Sequence, residues 1–226
     1  AIWALGNIAG DNISNRDLII QAGGVEGALC HLTAALAKSA SAARTGAWAL
    51  GNFIRHKPSV PIEIQRKSMP MFVDLMLSGD NEVSSDSAYG MCYLTDGNDE
   101  MLEVIASDSR AVSALCSLLE NDSAPWDPAI RALGNLTAGT HEQTDAVIAG
   151  DFLSLAINCL HTPKKSLKKD TLWALSNIAA GTTDQIQSMF DTSMLMQEVA
   201  RCCAAADHDI RKEAMWVVVN CCMGCQ

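Results

Sequence analysis

The sequence predicts an all-α solenoid, in which helical repeats of about 42 residues stack side by side. Three observations predict this fold. A five-residue segment recurs six times along the 226 residues, the stretches between its copies are apolar at helical spacing, and strand-like alternation is absent. A period near 42 residues is typical of repeats built from two or three helices. Because one such unit cannot bury its apolar face alone, we expect neighbouring repeats to share a continuous core.

The recurring segment usually begins with Trp and ends with Asn four residues later. Its copies begin 45, 41, 42, 42 and 43 residues apart, a regularity that chance explains poorly. In chain order, the copies are Trp3-Ala-Leu-Gly-Asn7, Trp48-Ala-Leu-Gly-Asn52, Tyr89-Gly-Met-Cys-Tyr93, Arg131-Ala-Leu-Gly-Asn135, Trp173-Ala-Leu-Ser-Asn177 and Trp216-Val-Val-Val-Asn220.

The stretches between the copies carry the other helices of each repeat. Apolar side chains recur at helical spacing over residues 112–119 and 152–157, and clusters of Gly, Asp, Ser, Asn and Pro at 78–81 and 121–125 separate the helices. No linker is long enough to divide the chain. We therefore predict that residues 1–226 form a single domain of five to six repeats.

Composition and charge exclude several functional classes. With 16 Lys and Arg against 26 Asp and Glu, the net charge of −10 argues against binding to nucleic-acid phosphates and favours cationic partners. No run approaches the roughly 20 apolar residues of a membrane helix. The sequence shows no arrangement typical of a metal site, a cofactor site or a nucleophile–base pair, so we expect a protein that is not an enzyme.

Helical geometry places the Trp and the Asn of each segment on one face. At about 100° per residue, Trp3 and Asn7 lie roughly 40° apart, whereas Leu5 lies about 200° from Trp3. If Leu5 faces the core, Trp3 and Asn7 face outward, and the same holds for Leu50 behind Trp48 and for Leu175 behind Trp173. Stacked repeats would then present rows of Trp and Asn on a single surface.

Such a surface suits an extended basic peptide. Neighbouring indole rings form slots that accept long aliphatic stems and attract Lys or Arg heads, while Asn side chains can bond to the peptide backbone. Helices packed about 8–10 Å apart match roughly three residues of extended chain. Acids close to the slots would select the cationic heads: Asp11, Asp86, Asp96, Asp170 and Glu213.

These segments, with Ala-Leu-Gly-Asn-Ile-Ala-Gly-Asp at residues 4–11, resemble the importin-α (karyopherin-α) family. The order of the exceptions is also similar, because Tyr93 replaces Asn and Arg131 then replaces Trp, where the family interrupts its own Trp/Asn array. The resemblance implies a right-handed superhelix of armadillo repeats, of which this chain would be a fragment from the third to the eighth repeat. It also implies an import adaptor for nuclear localisation signals.

The resemblance assigns peptide contacts to two groups of residues. The N-terminal group matches the family's major groove, whose first repeat this chain would lack: Trp3, Asn7, Asp11, Trp48, Asn52, Arg55 and Asp86. The C-terminal group matches the minor groove: Arg131, Asn135, Asp170, Trp173, Asn177, Glu213, Trp216 and Asn220. A bipartite signal would span both groups. Four departures from the family pattern leave the preferred signal open: Thr45, Tyr89, Ala138 and His141.

The resemblance also implies partners and location. Importin-β would bind through a basic N-terminal arm that this chain lacks, and the protein would act as a monomer that shuttles between cytoplasm and nucleus. Two alternatives are weaker. A generic armadillo scaffold for an acidic segment, and a helical-repeat RNA binder, both need rows of Lys and Arg on the inner helices, where only Arg55 and Arg131 appear.

Overall fold

A computed structural model describes residues 1–36, 38–120 and 126–224, and every regular element in these ranges is an α-helix. The prediction of an all-α chain is confirmed. The helices are α1 (Ile2–Asp11), α2 (Ile13–Gln21), α3 (Gly24–Ala35), α4 (Ala40–Ile54), α5 (Ile62–Met76), α6 (Asn81–Thr95), α7 (Asp99–Ser107), α8 (Ser109–Ser117), α9 (Trp126–Thr137), α10 (His141–Ala149), α11 (Phe152–His161), α12 (Lys165–Ala179), α13 (Thr183–Asp191), α14 (Leu195–Cys203) and α15 (His208–Gly224).

The helices follow one another as repeats in which two shorter helices lead into a third. We call the helices that carry the recurring segment the ladder helices: α1, α4, α6, α9, α12 and α15. Each ladder helix packs against the next one along the chain, so the six form a continuous layer. The recurring segments therefore lie on adjacent helices, as the sequence period predicts.

Local capping residues set where several of these helices begin. The Asp80 carboxylate accepts the backbone N–H groups of Glu82 and Val83 at the start of α6 and also pairs with Arg44 of α4. The Arg44 guanidinium, followed by the backbone donors, lowers the pKa of Asp80 to about 2. Thr140 and Thr182 begin α10 and α13 with reciprocal capping boxes to Gln143 and Gln185. Polar side chains in the loops thus fix the helix ends.

Residues 55–61 form a loop where the other repeats have their first short helix. Arg16 of α2 is only 2% exposed, and its Nη1 donates to the carbonyls of His56 and Pro58 at 2.7 and 2.9 Å. Asp17 pairs with the same guanidinium at 2.8 Å. The buried guanidinium of Arg16, from the preceding repeat, therefore donates hydrogen bonds to loop carbonyls that have no helical N–H partner.

One hydrophobic core runs through the described repeats, from Ala9 to Cys221. Leu50 and Leu175 are fully buried behind Trp48 and Trp173, as predicted. The same expectation for Leu5 is wrong, because Leu5 is 37% exposed. The described residues place no helix over that side of α1, which leaves Leu5, Ile8 and Leu18 around an open apolar pocket.

No single described helix has the length and apolar character that crossing a membrane requires. Helices α2 and α3 meet that requirement only when taken together, and the two are bent by 72° against each other.

Candidate functional site

The ladder helices bring the first residues of the recurring segments onto one surface. These are, in order, Trp3, Trp48, Tyr89, Arg131, Trp173 and Trp216. The indoles of Trp3 and Trp216 are 66% and 50% exposed and the Tyr89 ring 45%, while Trp48 and Trp173 are half-buried. Large aromatic side chains that stay this exposed on a packed helical layer form a candidate binding surface.

Glycines in the recurring segment explain why two of the indoles are half-buried. A Cβ added to Gly6 would lie 2.6 Å from Cζ3 of Trp48, and one added to Gly134 would lie 2.3 Å from Cζ3 of Trp173. Each of these rings therefore lies against the preceding ladder helix at a position that only glycine leaves free. Ser176 holds the corresponding position before Trp216, whose ring is half-exposed.

The asparagines of the C-terminal group bridge adjacent ladder helices. Their Nδ2 atoms donate to the preceding helix: Asn135 to Thr95 Oγ1 at 3.1 Å, Asn177 to the Gly134 carbonyl at 3.3 Å and Asn220 to the Ser176 carbonyl at 2.9 Å. Each bond fixes the amide and does not use its carbonyl oxygen. An oriented acceptor thus remains four residues after each of Arg131, Trp173 and Trp216.

The N-terminal asparagines are held differently. Asn7 donates to the carbonyl of Trp3 within its own helix at 3.0 Å. Asn52 is only 5% exposed, and its Oδ1 accepts from Nη1 of Arg55 at 3.1 Å. The amide oxygen of Asn52 is therefore already engaged by the protein itself.

A slot of about 150 Å³ opens between the rings of Trp48 and Tyr89. Gly51, Asn52, Arg55, Asp86 and Tyr93 complete its lining. Burial, followed by the nearby charge of Glu82, raises the pKa of the Asp86 carboxyl to about 6. Among the described ion pairs none includes Asp86, so its charge is available to a cation that enters the slot.

The equivalent acid on α12 is already paired. Nη2 of Arg131 lies 2.9 and 3.1 Å from the two carboxylate oxygens of Asp170, and its Cζ lies 5.5 Å from the centroid of the Trp173 ring. Burial raises the pKa of Asp170, while the charge of Arg131 opposes that shift. Between α9 and α12, Arg131 therefore binds the Asp170 carboxylate and also covers the face of the Trp173 ring.

The remaining acids differ in their partners. Glu213 is half-buried three residues before Trp216 and takes part in no ion pair among the described residues. Asp11 accepts only from the side-chain amides of Asn12 and Asn15. Asp96 pairs with Lys57 at 3.4 Å, so it differs from the open acid that the sequence suggested. The negative charges open to a ligand are those of Asp11, Asp86 and Glu213.

The structure places the two predicted groups at opposite ends of one layer. The N-terminal group lies on or just after α1, α4 and α6, and the C-terminal group lies on α9, α12 and α15. The sequence predicted that Tyr89 keeps an aromatic wall, but sequence reasoning did not include Tyr93 as a slot wall, although its register with Asn52 was visible. It also missed the glycines that receive the indoles. Within the ranges that the structure describes, no cluster of His, Cys, Asp and Glu could hold a metal.

Comparisons with known proteins agree with this geometry. The Armadillo/beta-catenin-like repeat family matches residues 140–180. Importin subunit alpha-1a of Oryza sativa subsp. japonica is 34% identical over 188 residues, or 82% of this chain and 35% of the relative. Importin subunit alpha-2 of Caenorhabditis elegans is 36% identical over 179 residues, or 78% of this chain and 33% of the relative. The chain belongs to the importin-α family. It spans about a third of the length of these importin-α relatives.

Solved structures show the same fold as this importin-α chain. An engineered protein superposes with a TM-score of 0.85 at 25% identity, covering 99% of this chain and 91% of the other. A designed armadillo repeat protein in complex with the peptide (KR)4 superposes with a TM-score of 0.84 at 20% identity, covering 97% and 91%. The predicted armadillo solenoid is confirmed.

Proposed function

We propose that this importin-α chain binds extended basic segments of the nuclear-localisation-signal type along its ladder helices. The observation that carries the proposal is the pairing of an open acid with an aromatic wall one turn later on the same ladder helix. Asp86 lies three residues before Tyr89, and Glu213 lies three residues before Trp216. The protein acts as a non-catalytic adaptor, since its groove offers recognition of charge and shape.

The chemistry of the surface suits Lys and Arg side chains. Aromatic faces attract a cationic head within about 6 Å, and the aliphatic stem packs between neighbouring rings. The oriented oxygens of Asn135, Asn177 and Asn220 can accept N–H groups of a peptide backbone that runs along the layer. Helix spacings of about 10 Å match every third residue of such a chain.

The two groups of residues form two sites of one groove. A single basic cluster binds the N-terminal group, formed by Trp3, Asn7, Asp11, Trp48, Asn52, Arg55 and Asp86. A bipartite signal also reaches the C-terminal group. In the whole protein, importin-β is a second partner through an N-terminal arm, and the adaptor shuttles between cytoplasm and nucleus. The names of the importin-α relatives support this role.

Fluorescence anisotropy with a labelled bipartite basic peptide tests the proposal. We expect the double variant Trp173→Ala/Trp216→Ala to weaken binding at least about fivefold, because each aromatic face contributes about 0.5–2 kcal/mol to a bound cation. The matched control is Phe190→Ala on α13, which removes a 53% exposed ring from outside the ladder helices and should change the Kd less than twofold.

The dependence of the Kd on salt concentration is a second test of the proposal. Binding to the groove should weaken as the salt concentration rises, because the recognised charges are exposed or half-exposed. A helical, monomeric wild type that shows no affinity for the peptide would contradict the proposal. The generic armadillo scaffold, which binds another extended protein segment, would then become the leading function.

A further inference from the structure

Arg131 occupies the place of an aromatic wall. We call each pair of neighbouring ladder helices a step. In the other steps whose second helix carries an aromatic first residue, the first residue on the preceding helix is a tryptophan: Trp3 before Trp48, Trp48 before Tyr89 and Trp173 before Trp216. Only before Trp173 is the residue a cation. The step from α9 to α12 therefore combines one aromatic wall with a guanidinium that belongs to the protein.

This guanidinium is held where a ligand's cation would bind. Gly134, three residues after Arg131, receives the Trp173 ring against α9, which brings that ring next to Arg131. The guanidinium lies 5.5 Å from the ring centroid and bonds to both oxygens of Asp170, whose side chain is only 14% exposed. A charged hydrogen bond to a carboxylate together with an aromatic face is an arrangement that arginine favours.

We propose that Arg131 is an internal ligand that fills the Trp173–Asp170 slot and excludes basic peptide side chains from it. The inference rests on the proposed function and refines it. Arg131 and Asp170 therefore bind each other, within the C-terminal group, instead of contacting a basic residue of the cargo. A bound basic segment must therefore skip this step, and in the C-terminal group the cation uses Glu213 between Trp173 and Trp216.

A simple structural salt bridge would have different consequences. It would stabilise the packing of α9 on α12, and its removal would leave peptide affinity unchanged or reduce it. An internal ligand predicts a gain on removal, because the acid and the ring face become available and a repelling charge disappears.

Peptide titrations of Arg131→Gln test the inference. The probe is a twelve-residue peptide of alternating Lys and Arg, long enough to cover the α9, α12 and α15 steps at about three residues per helix. We expect a three- to tenfold lower Kd than for the wild type. The matched control is Arg110→Gln, which removes the same charge from a 2.5 Å pair with Asp74 on α5, outside the ladder helices, and should change the Kd less than twofold.

Two further variants separate the slot from a general effect of charge. Arg131→Lys keeps the positive charge but lacks the planar guanidinium beside the Trp173 ring, so we expect a gain smaller than that of Arg131→Gln. The double variant Arg131→Gln/Asp170→Asn should lose most of the gain, since the released acid is gone. An Arg131→Gln affinity equal to or below that of the wild type, or a gain that does not need Asp170, would overturn the inference.

A measurement without peptide distinguishes this inference from the proposed function. The indole N–H resonance of Trp173, assigned from a Trp173→Phe spectrum, should shift in Arg131→Gln and stay in place in Arg110→Gln. If the wild type binds no basic peptide, the proposed function fails, and the resonance still decides whether Arg131 covers the ring. An unchanged Trp173 resonance in a folded Arg131→Gln protein would reject the internal ligand.

Discussion

At the scale of single residues, a glycine decides how far an indole projects from the groove. Gly6 and Gly134 receive the rings of Trp48 and Trp173, which are half-buried, whereas Ser176 precedes the half-exposed ring of Trp216. The recurring segment therefore encodes two features at once. Its first residue supplies a wall, and at Gly6 and Gly134 its fourth residue makes room for the indole of the next repeat.

Substitution of these glycines should separate packing from helix propensity. Gly134→Ala should be about 1–3 kcal/mol less stable than Gly51→Ala, because its Cβ would meet the Trp173 ring at 2.3 Å. Gly51→Ala is the matched control, since a Cβ there has its nearest neighbour at 3.8 Å and the gain in helix propensity is the same. Urea unfolding followed by circular dichroism measures the difference. Equal stabilities would show that the indole is not confined by Gly134.

The charge of Asp86 should make peptide binding depend on pH. Burial raises the pKa of this carboxyl to about 6, so it is ionised at pH 7.5 and becomes neutral as the pH falls below 6. Lys and Arg stay charged over this range. We expect the affinity of a single-cluster basic peptide to fall between pH 7.5 and 5, and Asp86→Asn to bind weakly with a smaller pH dependence.

Thermal unfolding provides a control for Asp86 that needs no peptide. The folded-state pKa lies above the ordinary value of 3.8, so the folded protein binds more protons between about pH 4 and 6. The ionised carboxyl therefore destabilises the fold at neutral pH, and this cost disappears as the pH falls. Asp86→Asn should raise the Tm at pH 7.5 and raise it less at pH 5. A constant difference in Tm would contradict the raised pKa.

At the scale of elements, the repeats differ most at residues 55–61. This loop replaces a first helix, and Arg16 of the preceding repeat supplies the donors for two of its carbonyls. Arg55 and His56 at the start of the loop also contact the carbonyl of Gly10 at the end of α1. The loop thus ties α4 to α1 and α2, beside the Trp48 slot.

Removal of the buried guanidinium tests this role. Arg16→Met fills similar space but leaves the carbonyls of His56 and Pro58 without their donor, so we expect a loss of about 2–4 kcal/mol in stability. Arg66→Met is the matched control, because its pair with Glu100 lies at the surface and contributes at most about 1 kcal/mol. Urea unfolding distinguishes the two. Similar losses of stability in both variants would show that the buried hydrogen bonds of Arg16 contribute no more than a surface ion pair does.

At the scale of the whole molecule, the separation of the open slots sets the length of the ligand. The Trp48–Tyr89 slot and the pair of rings Trp173 and Trp216 are three helix spacings apart along the ladder helices. At about 8–10 Å per spacing this is roughly 24–30 Å, or about seven to nine residues of extended chain. The filled step at Arg131 lies between them.

Peptides with two basic clusters should therefore show a threshold in spacer length. We expect a spacer of about ten residues to bind at least tenfold more tightly than either cluster alone, because the second cluster binds at a high effective concentration. A spacer of about three residues cannot reach both slots and should bind like a single cluster. Anisotropy titrations of this series measure the effect. Affinity that does not depend on spacer length would show that only one slot is used.

Much of the fold and part of the site could be predicted from the sequence. The 42-residue period predicted the stacked helices, and the four-residue spacing from Trp3 to Asn7 predicted a shared face, because helical geometry is local and regular. Leu50 and Leu175 are buried as expected. Leu5 is not, because it lines an open apolar pocket beside Ile8 and Leu18.

The amino-acid sequence by itself determined the repeat, the family resemblance and the order of aromatic, asparagine and acidic positions along the ladder helices. Only the tertiary structure decided which of these groups are open. Asp86 is unpaired and partly desolvated, whereas Asp170 is neutralised by an arginine 39 residues away. The amide oxygen of Asn52 is held by Arg55, while those of Asn135 and Asn177 remain oriented acceptors. The physical reason is that periodicity fixes the face on which a side chain lies, but charge, burial and free hydrogen-bonding groups depend on contacts between repeats.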